Sequence, residues 1–298
     1  YSVIYNVSDT NGNAAEPVTR IVRVVDTTKP VITLLGSATE TVEAKTKYAD
    51  VGASVSDTLD GNLTSSVTSV STVNTDAVGS YSVTYSVSDT NGNAADSVVR
   101  TVSVVDTTKP VITLLGSATE TVEAKGTYTD AGASASDTLD GNLTGSVTSV
   151  NTVNIDAVGS YSVTYRASDA NGNTADSVIR TVSVVDTTKP VITLLGNATE
   201  TVEAKGTYTD AGASASDTLD GSLSVTSVNT VNTDAIGSYT VTYNVSDANG
   251  NAADSVARTV SVVDTTAPSI TSVSSETTDG SYMAGDEIEV TVNFSEAV

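Results

Sequence analysis

Apolar and polar residues alternate along most of this chain, and the alternation is clearest at residues 80–89. There the sequence reads SYSVTYSVSD, in which Tyr81, Val83, Tyr85 and Val87 are separated by serine and threonine. Successive side chains of a β-strand point to opposite faces, so this period of two predicts a strand with one buried face. No segment shows the apolar spacing of an amphipathic helix, which leaves strands as the predicted regular structure.

The strand pattern belongs to a longer repeat. The phrase VVDTTKPVITLLG begins at residues 24, 104 and 184, and a diverged form, VVDTTAPSITSV, begins at 262. A period near 80 residues is typical of a compact β-sandwich and exceeds the period of helical solenoids. The aspartates of the phrase divide the chain into the end of one repeat, three whole repeats and the start of a divergent module. These predicted segments are 1–25, 26–105, 106–185, 186–263 and 264–298.

Turn residues separate the predicted strands. Asn-Gly within DTNGN or DANGN and Asp-Gly within DTLDGN indicate tight turns between antiparallel strands. Seven short antiparallel strands per repeat predict an immunoglobulin-like sandwich, so the fold is expected to be all-β, with tandem sandwiches arranged as beads on a stiff string. In the second repeat, strands A to G are predicted at 110–116, 120–128, 132–137, two within 143–154, 160–168 and 175–185.

Composition excludes several classes of function. A net charge of −23, from 36 acidic and 13 basic residues, argues against binding to nucleic acid or to anionic membranes. The chain has no cysteine and no histidine, so disulfides, Ser-His-Asp catalysis and ordinary zinc sites are not expected. Tryptophan is also absent, which argues against an aromatic-lined catalytic cleft. We therefore predict that the chain is not an enzyme. No apolar stretch approaches the 18 residues of a membrane span, so membrane insertion of this segment is not expected.

The markers DTTKP, GTYTDAGASASDTLDG, VGSYSVTY and SDANGN closely resemble the Ig-like repeats of bacterial surface proteins. Such repeats occur in tandem in giant adhesins, so the resemblance implies an extracellular location at the bacterial cell surface. It covers the three whole repeats, and residues 1–25 match their last two strands. Residues 264–298 depart from the pattern and look like the start of a different Ig-like or cadherin-like module. Related tandem repeats often stiffen their joints with Ca²⁺, so the resemblance also implies this ion.

The joints between repeats are short. Asp106 to Lys109 precede Pro110, whose fixed φ restricts the linker and sets neighbouring repeats at a fixed angle. Asp- and Asn-rich loops near each joint provide the oxygen ligands that Ca²⁺ prefers, although both residues are also ordinary turn residues. With strands alternating in direction, each site would combine the C–D and E–F loops of one repeat with the F–G loop of the next. The candidate ligands are Asp57, Asp60, Asn62, Asp89, Asn91, Asn93, Asp106, Asp137, Asp140, Asn142, Asp156, Asp169, Asn171, Asn173, Asp186, Asp247, Asn249 and Asn251.

Three hypotheses of function follow. The first is a structural stalk of a large extracellular adhesin or surface fibre, with neighbouring repeats as its partners and Ca²⁺ at the joints. The second is a subunit of a self-assembling filament, because the chain opens on a strand pattern and looks like a piece of a longer protein whose half-domains could exchange strands. The third is a multivalent module that binds glycan or protein. Lys45, Lys125 and Lys205 precede turns, so we expect solvated lysines there and not covalent cross-links.

Overall fold

The computed structural model describes residues 1–298, and nearly all of its regular structure is β-strand. Strands β1 (Ser2–Tyr5) and β2 (Val18–Ile21) form an antiparallel hairpin near the amino terminus. Strands β24 (Ile270–Ser275) and β25 (Val290–Phe294) form a second hairpin near the carboxyl terminus. Between the hairpins, one order of seven strands occurs three times.

The three copies form three β-sandwiches. The first contains β3 (Val31–Leu34), β4 (Thr39–Glu43), β5 (Ala53–Asp57), β6 (Gly61–Asn62), β7 (Thr68–Ser71), β8 (Gly79–Ser86) and β9 (Val98–Val105). The second contains β10 (Val111–Leu114), β11 (Thr119–Glu123), β12 (Ala133–Asp137), β13 (Gly141–Asn142), β14 (Thr148–Asn151), β15 (Gly159–Arg166) and β16 (Val178–Val185). The third contains β17 (Val191–Leu194), β18 (Thr199–Glu203), β19 (Ala213–Asp217), β20 (Gly221–Leu223), β21 (Thr226–Asn229), β22 (Gly237–Asn244) and β23 (Val256–Val263). Short 3₁₀ turns at Thr64–Ser66 and Thr144–Ser146 precede β7 and β14.

Each sandwich consists of a three-stranded sheet and a four-stranded sheet. The strand orders in the first sandwich are β3-β5-β6 and β4-β9-β8-β7, and equivalent orders recur in the other two. The prediction of tandem all-β, immunoglobulin-like sandwiches is thereby confirmed. In the first sandwich, one pair of strands is parallel: β4 runs alongside β9, with Thr39 opposite Thr101 and Glu43 opposite Val105. Strands β18 and β23 pair in the same parallel way.

The prediction that strands A and B of each repeat are antiparallel is wrong. Strand β3 pairs with β5 in one sheet, whereas β4 pairs parallel with β9 in the other. The chain changes sheets between β3 and β4 without reversing its direction, and Gly36 adopts a φ of 78° at this crossing. An alternating pattern cannot distinguish a change of sheet from a reversal, because both interrupt the period of two in the same way.

This correction moves one loop to the other end of the sandwich. Because β5 is the first strand that returns, the β5–β6 turn lies at the end where β3 begins. The β8–β9 loop lies at this end as well, since β9 finishes at the opposite end beside the last residue of β4. We call the end where each sandwich begins its leading end. The predicted placement of the DTLDGN loop at the opposite pole is therefore wrong.

The core of each sandwich lies between its two sheets. In the first sandwich, Ile32 and Val55 of the three-stranded sheet pack with Val83, Tyr85 and Val102 of the four-stranded sheet. All five are at least nine-tenths buried, and Val102 has no exposed surface. The alternation in SYSVTYSVSD thus predicts the buried face correctly. Burial of these side chains is the main source of stability in so small a domain.

A buried arginine lies beside this core. Arg100 is on β9, on the same face as the core residues Val102 and Val104, and is fully buried. Its guanidinium forms an ion pair with Asp50 and lies 5.8 Å over the ring of Tyr85. Arg180 and Arg258 occupy equivalent places with Asp130 and Asp210. A charge at this depth requires partners for all its donors.

Backbone carbonyls, two of them between β3 and β4, supply further partners of Arg100. Its Nε donates to the carbonyl of Ser37 at 3.0 Å, and its Nη2 donates to the carbonyls of Leu35 and Gly52. Leu35 and Ser37 lie where the chain leaves one sheet for the other. The arginine therefore holds the change of sheet in place.

Residue contacts divide the chain into two compact units. The first comprises residues 1–119, 130–152 and 162–181, and the second comprises residues 120–129, 153–161 and 182–298. The division passes through the second sandwich. Each acidic cluster described below lies within a single unit.

Candidate metal centre

The turn between β5 and β6 uses one oxygen of an aspartate and leaves the other unused. Oδ1 of Asp57 accepts hydrogen bonds from the backbone amides of Leu59 at 2.7 Å and Asp60 at 3.0 Å. Oδ2 of Asp57 is buried and has no hydrogen-bond partner. Asp137 and Asp217 occupy the equivalent turns, each with a buried, unpartnered Oδ2. A buried carboxylate oxygen without a donor is costly unless a cation or water compensates it.

The loop between β8 and β9, like the equivalent loops β15–β16 and β22–β23, presents a second aspartate. Oδ1 of Asp169 in the second sandwich accepts the amides of Asn171 at 2.9 Å and Asn173 at 2.8 Å, and Oδ2 accepts Nδ2 of Asn173 at 2.7 Å. Burial favours the neutral form of Asp169, but these hydrogen bonds favour the anion more strongly, so its pKa is lowered. Asp89 and Asp247 have the same bonds and the same direction of pKa shift. These loops therefore hold ionised carboxylates at the leading end.

The linker supplies a third aspartate. Asp106 follows the last residue of β9, and the next sandwich holds it, because Nδ2 of Asn171 donates to its Oδ2 at 2.9 Å. Nδ2 of Asn173 donates to its backbone carbonyl at 3.1 Å. Asp106 is 9% exposed. Burial first, and then the nearby charges of Asp137 and Asp169, raise its pKa.

These three elements bring carboxylates together in every sandwich. Within each cluster, one carboxylate oxygen per residue lies within 4.8 Å of the others. We call these groups the first, second and third acidic clusters. They consist of Asp26, Asp57 and Asp89; of Asp106, Asp137, Asp140 and Asp169; and of Asp186, Asp217 and Asp247.

The residues of the clusters fit a hard divalent cation. The ligands offered are carboxylate oxygens, and neither histidine nor cysteine exists in the chain to select a softer metal. The unpartnered Oδ2 of Asp217, a residue that is 9% exposed, is a free acceptor buried at the third cluster. Ca²⁺ accepts six to eight oxygens in flexible geometry, whereas Mg²⁺ demands a near-ideal octahedron. Carboxylates from two loops and a linker suit the more tolerant ion.

The prediction that the C–D and E–F loops of the preceding repeat contribute to the cluster at the joint is wrong, whereas the predicted F–G loop of the following repeat does contribute, because each cluster belongs to the sandwich that follows its linker. Asp137 and Asp140 lie with Asp106 and not with Asp186. Asp186 lies with Asp217 and Asp247 of its own sandwich. The reason is the change of sheet between the first two strands, which returns the β12–β13 turn to the leading end.

Several predicted ligands have other partners. Asp156 lies in the loop before β15 and forms an ion pair with Lys125 at 2.9 Å. Oδ1 of Asn62 and Oδ1 of Asn142 each accept the amide of the threonine two residues later at 2.9 Å, as turn asparagines do. The asparagines of the β8–β9, β15–β16 and β22–β23 loops donate their Nδ2 groups to aspartates of the clusters. These side chains are Asn91, Asn93, Asn171, Asn173, Asn249 and Asn251.

Two aspartates of the clusters were missing from the predicted ligands. Asp26 and Asp217 occupy the same repeat positions as Asp106 and Asp137, so alignment of the repeats contains the signal that identifies them. The predicted solvated turn lysines are found as expected. Lys45, Lys125 and Lys205 have φ near 60°, and the side chains of Lys45 and Lys125 are more than a third exposed.

A glutamate at the end of β4 was not predicted to have a role, yet it holds the linker. Oε1 of Glu43 accepts the amides of Thr107 at 2.7 Å and Thr108 at 3.1 Å, and both threonine hydroxyls donate to its carboxylate at 2.9 Å. The hydrogen bond from the amide of Thr107 is the largest cause that lowers the pKa of Glu43. We call this arrangement the glutamate clamp.

The glutamate clamp recurs at the next two linkers. Glu123 binds Thr187 and Thr188 in the same way, and Glu203 binds Thr265 and Thr266. Hydrogen bonds from Thr265 and Thr266 lower the pKa of Glu203 to about 2. The linkers at 106, 186 and 264 are thus each held by a glutamate of the sandwich before them. The aspartates of the linkers at 106 and 186 are also held by asparagines of the sandwich after them.

A comparison with known protein families shows which family the chain belongs to. The family described as "Bacterial surface protein, Ig-like domain" matches residues 32–104, 112–184 and 192–262. The chain belongs to this family. The matches cover the core strands of all three sandwiches, and the resemblance inferred from the sequence markers is confirmed.

A comparison with individual proteins finds a relative of moderate sequence identity. Hyalin from Strongylocentrotus purpuratus is 32% identical over 291 residues, which cover 90% of this chain and 24% of hyalin. The chain therefore spans about a quarter of the length of this relative.

Solved structures also show limited likeness to the chain. A Clostridium perfringens ZmpB structure with the CBM51-2 and INT domains and GlcNAc is 26% identical over 30% of this chain and 20% of that one, with a TM-score of 0.23. A lipoprotein from Bacteroides thetaiotaomicron is 12% identical over 77% of this chain and 99% of that one, with a TM-score of 0.24. Such low TM-scores support no inference about this chain. None of its helices has the length and apolar character needed to cross a bilayer.

Proposed function

We propose that this chain is a non-catalytic structural spacer of a larger extracellular protein at a bacterial surface, with Ca²⁺ bound at the acidic cluster of each sandwich. Membership of the surface Ig-like family supports the location. The repeat boundaries at residues 26, 106, 186 and 264 belong to this proposal, because each begins a segment that enters or leaves a sandwich.

The observation that carries the proposal is that hydrogen bonds from the sandwiches on both sides hold the linker at 106. The threonines of the linkers at 106, 186 and 264 are bound by the glutamate clamp, and the aspartate of the linker at 106 is bound by Asn171 and Asn173. A linker with hydrogen-bond partners on both sides has little freedom. Recurrence of the same arrangement at 186 is expected of a spacer whose length depends on copy number.

Ca²⁺ would add a second constraint at the same place. Asp106, Asp137, Asp140 and Asp169 would hold the ion in the second sandwich, and the other clusters would hold it through their equivalent carboxylates. Bound there, the ion neutralises the crowded charges and gives the buried, unpartnered oxygens a partner. Since the linker aspartate is one of the ligands, ion binding fixes the linker to the sandwich that follows.

Small-angle X-ray scattering in millimolar Ca²⁺ and in excess chelator tests this proposal. We expect an extended particle with Ca²⁺ and a more flexible one in chelator, since only the glutamate clamp and the asparagine hydrogen bonds hold the linker there. The variant Asp57→Asn, Asp137→Asn, Asp217→Asn should behave in Ca²⁺ as the unaltered chain does in chelator. Superimposable curves for the unaltered chain would overturn the role of Ca²⁺, and a compact particle in both conditions would overturn the spacer. Large assemblies in both would favour a self-assembling filament.

A further inference from the structure

The loops that carry the second aspartate of each acidic cluster share a six-residue sequence that differs at one position. The loop that carries the second aspartate of each cluster reads SDTNGN at 88–93 but SDANGN at 168–173 and 246–251. Thr90 therefore stands in the first sandwich where Ala170 and Ala248 stand in the others. The other five residues of this sequence are the same in all three loops, so the position shows the effect of the threonine side chain.

In the first sandwich, Thr90 engages both oxygens of a neighbouring aspartate. Its amide donates to Oδ2 of Asp60 at 2.8 Å. Its Oγ1 lies 2.9 Å from Oδ1 and 2.9 Å from Oδ2 of the same carboxylate. Asp60 is not a member of the first cluster, which contains three aspartates.

In the second sandwich, the equivalent aspartate has no such hydroxyl beside it. The amide of Ala170 donates to Oδ2 of Asp140 at 2.9 Å, and alanine offers nothing further. Asp140 is a member of the second cluster, which contains four aspartates. The amide of Ala248 makes the same bond to Asp220 at 2.8 Å in the third sandwich, where the cluster contains three.

We infer that the hydroxyl of Thr90 competes with the cation for Asp60, so that the first acidic cluster binds Ca²⁺ more weakly than the second. This inference rests on the proposed Ca²⁺ sites, and the buried unpartnered oxygens of Asp57, Asp137 and Asp217 support those sites independently of the clustering. Affinity for Ca²⁺ rises with the number of charged ligands. A charge-assisted hydrogen bond must be broken before Asp60 can turn to the ion. The hydroxyl of Thr90 therefore sets the first site apart from the second.

Glycine amides in the three loops report each site separately. The amides of Gly92, Gly172 and Gly250 donate to the backbone carbonyls of Asp89, Asp169 and Asp247. Their ¹⁵N resonances can be followed in the full chain while CaCl₂ is added from a chelated start. We expect Gly172 to reach half-saturation at about tenfold lower free Ca²⁺ than Gly92, which corresponds to about 1.4 kcal/mol. Gly250 should respond between the two, since its cluster has three aspartates and no competing hydroxyl.

Variants at positions 90 and 170 complete the test. Thr90→Ala should lower the midpoint of Gly92 several-fold, whereas Thr90→Ser keeps a hydroxyl and should leave it unchanged. Ala170→Thr should raise the midpoint of Gly172 several-fold and leave that of Gly250 where it was. Equal midpoints for Gly92 and Gly172, with no effect of Thr90→Ala, would overturn the inference and leave Ca²⁺ binding intact. Absence of any shift at millimolar CaCl₂ would instead overturn the Ca²⁺ sites themselves.

Discussion

Two kinds of acidic site occur in each sandwich, and the third sandwich shows the contrast. Asp210 accepts hydrogen bonds from the hydroxyls of Tyr243 at 2.6 Å and Tyr208 at 3.2 Å and forms an ion pair with Arg258. Asp217, at the leading end, keeps one buried oxygen without a partner and faces two other aspartates. The fold supplies Asp210 with hydrogen-bond donors and a counter-charge, whereas one carboxylate oxygen of Asp217 has no hydrogen-bond donor.

The comparison teaches that the partners of an aspartate, and not its burial, indicate its role. Burial favours the neutral form of Asp210, but the hydrogen bonds from the two tyrosines and the charge of Arg258 outweigh it and lower its pKa. At the second acidic cluster, burial and like charges together raise the pKa of Asp106. The first environment stabilises an anion within the fold, and the second gains from an added cation.

Removal of the arginine should produce the largest effect. Arg258→Met leaves the half-buried Asp210 without its ion pair and frees the carbonyls of Leu195 and Gly212. We expect the third sandwich to lose about 3–5 kcal/mol of unfolding free energy. Urea denaturation followed by amide resonances of each sandwich measures this loss separately for each domain. Lys189→Met, which breaks an exposed pair with Asp254, is the control. Equal losses in the two variants would contradict the role given to the buried network.

Ca²⁺ should raise the stability of the third sandwich by a smaller amount. An ion at one hundred times its dissociation constant adds about 2.7 kcal/mol if it binds only the folded state. Asp217→Asn keeps the Oδ1 acceptor for the amides of Leu219 and Asp220 but removes the charge. Thermal melts in CaCl₂ and in chelator should therefore differ for the unaltered chain and coincide at the third sandwich of this variant. Asp254→Asn, at an exposed position, should retain the full difference. A variant that keeps the Ca²⁺-dependent shift would show that Asp217 is not a ligand.

The glutamate clamp should respond to acid. The pKa of Glu203 in the folded chain is about 2, against an ordinary value of 4.5. Because the folded pKa is the lower one, the clamp contributes fully above about pH 4.5 and is lost as the pH falls from there through 2. Carboxyl ¹³C resonances measured against pH should place the midpoint of Glu203 near 2. The double variant Thr265→Val, Thr266→Val should raise it towards 4.5, and Thr41→Val, far from Glu203 in the sequence, should leave it in place. An ordinary midpoint in the unaltered chain would contradict the clamp.

The smallest effect is expected at the turn lysines. Lys125 adopts a φ of 60°, which glycine accepts without steric cost, and its amino group pairs with Asp156. Lys125→Gly should stabilise the second sandwich by less than about 1 kcal/mol, because the relief of backbone strain exceeds the loss of a partly exposed pair. The same change at Lys109, where φ is not positive, should be slightly destabilising. Chemical denaturation resolves both effects, and a large loss at Lys125 would show that the ion pair outweighs the strain.

Much of the fold could be predicted from the sequence because it is encoded locally. The alternation in SYSVTYSVSD identifies Val83 and Tyr85 as core residues, and the repeated phrase identifies the linkers. The buried Arg100 carries a weaker signal, since its position on β9 matches the apolar face in phase with Val102 and Val104. A basic residue in that phase indicates a buried charge, but the sequence does not say which acid pairs with it.

The composition of the acidic clusters could not be predicted from local pattern. They depend on the change of sheet between the first two strands, which decides the end at which the DTLDGN loop lies. That change involves only Leu35 to Ala38 between β3 and β4, and it resembles an ordinary turn in sequence. Asp137 was therefore recognised as a candidate ligand but assigned to the wrong joint. The glutamate clamp was missed for a similar reason, because Glu43 and Thr107 are 64 residues apart.

Direct measurement of Ca²⁺ stoichiometry tests the central claim most simply. Equilibrium dialysis of the full chain against CaCl₂ should give about three ions per chain, one for each acidic cluster. Asp57→Asn, Asp137→Asn and Asp217→Asn should each remove one ion and leave the other two. A stoichiometry near zero at millimolar CaCl₂, or one that these variants do not change, would contradict the account.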